Sequence, residues 1–176
     1  MSLSKFIFGS NDKKRILKNF LLVPLAVLFI LGVGVVLSPI REQEIQQYPN
    51  PEALEEELII PSFSVAVFWA PVIEEHLFRA PVLLSYLTFF RRKPKRELYI
   101  QVQKAGKIFT AFIAIFTVVY FTQLHILNGG FYLLTTTLFH TGVFAVIMML
   151  LAIKTQSLTY PILAHAANNY LYWTFG

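Results

Sequence analysis

A chain of 176 residues that is 56% hydrophobic and only 14% charged departs from soluble domains, which carry about 25% charged residues. Cysteine is absent, which excludes disulfides, thiolate nucleophiles and cysteine-ligated metals. The net charge of +5 does not point to nucleic acid, because the basic residues flank long apolar runs and membrane-loop asymmetry accounts for them.

Asn19 to Ile40 contains no Asp, Glu, Lys or Arg and follows Lys13, Lys14, Arg15 and Lys18. A signal-peptide core is about 7–15 residues with a small-residue cleavage site. This run is longer and ends Val36-Leu37-Ser38-Pro39, so it reads as a retained anchor helix. Residues 1–57 are expected to form a tail, that anchor and an acidic outer loop, and residues 58–176 the functional core.

Leu58 to Phe90 is apolar except for Glu74, Glu75, His76 and Arg79 near its middle. Ile108–Leu127 holds His125, Phe131–Ile153 holds His140, and Leu158–Phe175 holds His165, Asn168 and Asn169. A hydrocarbon core about 30 Å thick takes around 20 apolar residues as helix. The fold class is therefore all-α: a polytopic transmembrane bundle of about five spans with a polar cavity inside the membrane. Asn128-Gly129-Gly130 reads as a tight turn between the third and fourth spans. No internal repeat is present, so an inverted-repeat transporter gains no support.

Orientation follows the distribution of Lys and Arg. The tail has five basic residues, Arg41–Glu57 has one against six Glu, Arg91–Lys107 has seven, and Lys154 marks the last connection. The alternation works if Leu58–Phe90 crosses once, as one long element kinked at Pro71 or Pro81, with a cytoplasmic N-terminus. Pro94–Lys107 alternates basic and apolar residues and is expected either to lie on an anionic leaflet or to form a solvated basic loop.

Charges in the bilayer centre cost roughly 2.5–3.5 kcal/mol each on insertion scales, so they usually line a cavity and act there. Glu75 and Arg79 are spaced i, i+4 with the acid first, the better order for an ion pair. They can act as a simple packing clamp. Glu74 lies about 100° around the helix, without that partner, and apolar surroundings suit it to a general base. Phe121 is one turn before His125 and can pack over its ring. His165 and Asn169 are again i, i+4. One carboxylate, two imidazoles and a carboxamide can activate water and stabilise an oxyanion. Glu74, His125 and His165 would also be the ligands of a metal, zinc by donor type. The residues leave open whether one is bound, and the HExxH pattern is absent. His76 and His140 read as structural, and Asn168 as the less suited asparagine. A depth check is awkward: His125, about 26 Å from an entry at Ile108, falls too far outward for the other two.

The ordered set Glu74-Glu75-x-x-x-Arg79, Phe121-x-x-x-His125 and His165-x-x-x-Asn169 resembles the CPBP family of intramembrane proteases. That family includes CAAX prenyl endopeptidases and bacterial Abi or bacteriocin-processing relatives. The likeness covers about Leu58 to Phe175. It implies a glutamate-dependent, metalloprotease-type endopeptidase in which Glu74 and His125 activate water. His165 and Asn169 would stabilise the oxyanion, and Glu75 and Arg79 would order the site. The expected partners are the lipid bilayer and a membrane-associated peptide or protein, prenylated or leader-bearing, in a bacterial cytoplasmic (inner) membrane. Two other classes stay open: a non-catalytic scaffold or bacteriocin-immunity protein, and a proton- or ion-coupled carrier.

Overall fold

The structure, a computed structural model, describes residues 7–47, 62–90, 97–129 and 134–175. All regular elements among them are helical: α1 (Lys13–Gln46), α2 (Ala70–Phe78), α3 (Ala80–Phe89), α4 (Glu97–Gly129), α5 (Leu134–Thr155) and α6 (Thr159–Phe175). A π-helical turn, Val65–Trp69, leads into α2. The fold is the expected helical membrane bundle. Among the described residues Lys13–Gln46, Ile100–Ile126 and Thr135–Thr155 are each long and apolar enough to cross a bilayer. The other two predicted spans correspond to the divided segment ending in α3 and to the 17-residue α6.

α1 starts at Asp12, whose carboxylate accepts from the Lys14 amide at 3.0 Å, a standard N-cap. Pro24 and Pro39 lie inside this helix. Pro39 has no N–H for the carbonyl of Val35, and the Ser38 hydroxyl donates to that oxygen instead, at 2.9 Å. The helix thereby continues past the proline to Gln46.

The second predicted span is irregular at both prolines rather than one. Ala70 N–H donates to Val65 O, five residues back, and Pro71 follows in the first turn of α2. Farther on, Arg79 joins the two helices as the C-cap of α2 and the N-cap of α3, with φ −104° and ψ −29°, and Pro81 sits in the next turn. The helix bends there without breaking, because Arg79 N–H still reaches Glu75 O and Leu83 N–H reaches Arg79 O.

The basic segment departs from expectation. From Glu97 onward it is the first part of α4, a helix rather than a solvated loop; Pro94 to Arg96 fall outside the described residues. No helix stop separates Lys107 from the apolar run. At Gly106 the Phe89 ring of α3 packs directly on the backbone, leaving no room for a Cβ. Ser85 and Thr110 join the same two helices through a buried hydroxyl pair at 2.6 Å. Thr110 donates to Gly106 O, so Ser85 is the donor in that pair.

α5 is the centre of the bundle, packed on α1, α4 and α6. Its Ala145 and Met148 are fully buried with Ile30, Tyr160 and Ala164, and the small residues permit the close helix approach that membrane bundles rely on. Leu21, Leu25, Leu28, Phe112, Ile115 and Phe116 instead point outward, an apolar surface suited to lipid. The chain is an integral membrane protein.

A short N-terminal segment docks on the turn between α5 and α6. The Ser157 and Thr159 hydroxyls both donate to Ile7 O, and Phe8 meets Phe20 and Tyr160 at ring distances of 6.0 and 6.5 Å. Gly9 between them has φ +69°, and a Cβ there would run into the carbonyl oxygen of Thr155. Replacing Gly9 with Ala is expected to cost about 1–3 kcal/mol, seen as a lower thermal midpoint in detergent. An unchanged midpoint would show that this docking does not hold.

Candidate active site

Of the polar residues in and just after α2, Glu75 and Arg79 turn inward. Glu75 is fully buried and Arg79 is 2% exposed, with Arg79 Nε 3.4 Å from Glu75 Oε2. The other carboxylate oxygen, Oε1, lies 3.0 Å from His165 Nδ1 on α6. A carboxylate oxygen only accepts, so Nδ1 carries the proton and Nε2 is turned the other way. That nitrogen faces Glu74 Oε2 at 3.8 Å.

Aromatic rings complete the surroundings. The Arg79 guanidinium sits over Phe121 of α4, 4.4 Å from the ring centroid, a cation–π contact in a desolvated place. Phe121 also stacks at 6.0 Å on Phe144, and Phe144 meets the His165 ring edge-on at 4.6 Å. His125 packs on Phe121 as its spacing predicts, with centroids 4.3 Å apart. Its Nδ1 donates to Phe121 O at 2.9 Å, which leaves Nε2 as the ring's outward nitrogen.

Asn169 is held by a consequence of Pro71. Because Ala70 N–H bonds Val65 O and Pro71 has no N–H, the carbonyl of Ala66 is released from the helix. The Asn169 amide donates to it at 2.8 Å. This bond ties α6 to the π-helical turn and fixes which end of the carboxamide is nitrogen.

His125, His165, Asn168 and Asn169 line one cavity of about 600 Å³ together with His140 and Tyr172. His125 and His165 nevertheless meet at one cavity, so the offset reckoned from the span entries does not separate them. Glu74 does not line it; its side chain is 26% exposed and its link to the cavity is His165. The imidazole beside Glu74 is thus His165 rather than His125. Glu74 Oε2 and Arg79 Nη2 are enclosed with no hydrogen bond from the protein. His76 is exposed and bonds its own backbone at Val72 O, as a structural residue would. His140, expected to be a packing residue, is instead part of the cavity wall, as are Arg41 and Tyr172, which nothing in their local sequence marked.

Two outward Nε2 atoms and a carboxylate are suitable donors for zinc by type. Their arrangement does not fit an ion: among the described residues no three His, Asp or Glu side chains converge closely enough to hold one. No step below passes through a metal.

Acid, imidazole and amide groups gathered inside an apolar helical bundle are the equipment of an intramembrane hydrolase. The sequence profile of the family described as type II CAAX prenyl endopeptidase, Rce1-like, matches residues 56–171. The chain belongs to that family, one of CAAX-type intramembrane proteases. No curated protein and no solved structure matches it.

The two adjacent glutamates are expected to respond differently to neutralisation. Glu75→Gln leaves the buried Arg79 without its counter-charge and should cost about 3–5 kcal/mol. Glu74→Gln, at a partly exposed side chain, should cost less than about 1 kcal/mol. Chemical or thermal unfolding of both variants in detergent checks the contrast; equal losses would overturn it.

Proposed function

We propose that the chain is a glutamate-dependent endopeptidase that cuts a membrane-associated peptide, with a prenylated CAAX segment as the first candidate substrate. The supporting observation is the pairing of Glu74 Oε2 with His165 Nε2 at 3.8 Å. That gap is too long for a direct hydrogen bond, yet one water can touch both atoms. His165 cannot turn away, since Glu75 holds its other nitrogen.

In this reading Glu74 takes a proton from the water and the oxygen attacks the scissile carbonyl carbon, forming the new C–O bond. The carbonyl oxygen becomes an oxyanion, and the Asn169 amide proton not used on Ala66 donates to it. Glu74 then returns its proton to the peptide nitrogen as the C–N bond breaks. Water has been added across the amide, giving a carboxylic acid and an amine. His165 orients the water, and His125 presents Nε2 from α4 to the same cavity. Arg79 keeps Glu75 charged and so keeps the His165 tautomer fixed, a supporting role.

Neither scaffold nor carrier gains an observation of its own. A relay would need titratable groups at successive depths, whereas Glu74, Glu75 and His165 form one tight cluster.

With a farnesylated peptide, Glu74→Gln should lower cleavage by about 10²–10⁴-fold at unchanged folding, read by mass spectrometry of the products. Equal cleavage by both proteins would refute the assignment. Asn169→Ala is expected to lower kcat by about 10²–10³-fold, and an effect confined to KM would remove Asn169 from the oxyanion role.

A further inference from the structure

The cavity that His165 lines has further polar residues in Arg41 and Tyr172. Among its described lining residues Arg41 of α1 is the only Lys or Arg, and none is Asp or Glu. Arg41 Nη2 lies 3.5 Å from the Tyr172 hydroxyl of α6, and His140 lines the same cavity. Glu44, one turn on from Arg41 in α1, is engaged elsewhere. Its oxygens accept from Thr135 N–H at 2.8 Å and from the Thr136 hydroxyl at 2.6 Å. That clamp pins the end of α1 to the first turn of α5 and holds Arg41, one turn earlier, at the cavity wall.

The spacing gives this part of the cavity a length scale. Tyr172 follows His165 by seven residues, so it lies on nearly the same face of α6 about 10 Å farther along the axis. An extended peptide advances about 3.3–3.6 Å per residue, and three residues cover the same distance. A cavity of about 600 Å³ is within the range of about 300–1,000 Å³ that encloses small ligands.

We propose that Arg41 and Tyr172 bind the free C-terminal carboxylate of the peptide substrate, three residues beyond the bond cut beside Glu74 and His165. Guanidinium and hydroxyl each donate to a carboxylate oxygen, in charge-assisted and directional bonds. A CAAX box, a cysteine with three residues after it at the chain's end, has the matching length. The proposal rests on the hydrolytic reading of Glu74 and His165. It assigns substrate recognition to α1, which lies outside the matched stretch 56–171.

The test uses the full chain in detergent and farnesylated peptides ending in either a free acid or an amide, with two to five residues after the cysteine. The wild type should favour the acid by about ten- to hundredfold in kcat/KM, and product masses should place the cut three residues from the acid end. Arg41→Gln should abolish the preference, and Arg41→Lys should retain part of it. Equal use of acid and amide by the wild type overturns the proposal without any variant. So does a preference that survives in Arg41→Gln. Fluorescent acid and amide peptides binding to Glu74→Gln separate the two readings. Acid-selective binding without cleavage by the wild type sustains the carboxylate site and sinks the hydrolase. Lack of selectivity beside normal cleavage does the reverse. If phosphatidylglycerol displaces neither peptide, the carboxylate source stands. If it binds at Arg41 while the acid peptide does not, the site holds lipid phosphate and the proposal fails.

Discussion

Glu75 serves two partners at once, and the arrangement of the bundle's interior follows from that double engagement. One oxygen faces Arg79 on its own helix and the other faces His165 on α6. Burying an ion costs several kcal/mol, so a carboxylate with no exposure holds its place only while both contacts persist. Arg79 needs Glu75 for the same reason, and lays its flat face on Phe121 of α4. Three helices are thereby locked in rotation by one charge. The lock also sets the His165 tautomer, because Nδ1 must donate and Nε2 is left toward Glu74.

Backbone defects supply what side chains alone cannot. In a regular helix the carbonyl of Ala66 would be occupied; Pro71, together with the five-residue hydrogen bond from Ala70, releases it for Asn169. A π-helical turn of this kind often marks a functional region, and here it docks the helix that carries His165. The bend at Arg79 serves the same end, since it lets α2 aim its acids inward while α3 packs on α4 through Ser85 and Gly106.

α1 is more than an anchor. Its C-terminal half forms a wall of the cavity and its last turns are tied to α5 through Glu44. Membrane anchoring and shaping of the site are combined in one helix, made possible by the Ser38 hydroxyl that carries the hydrogen bonding past Pro39.

Much of this was readable from the chain alone. Apolar runs of about 20 residues can only be satisfied as helices in lipid, so the bundle was evident from composition and run length. The i, i+4 spacings of Glu75 with Arg79 and of Phe121 with His125 are local, and both pairs meet as expected. Which imidazole stands beside Glu74, how far His125 lies along α4, and the place of Arg41, His140 and Tyr172 in one cavity were settled only by tertiary structure. Those relations depend on the rotation and register between helices distant in sequence. Rotation and register are set by packing and by paired buried charges, and no spacing within a single helix encodes them.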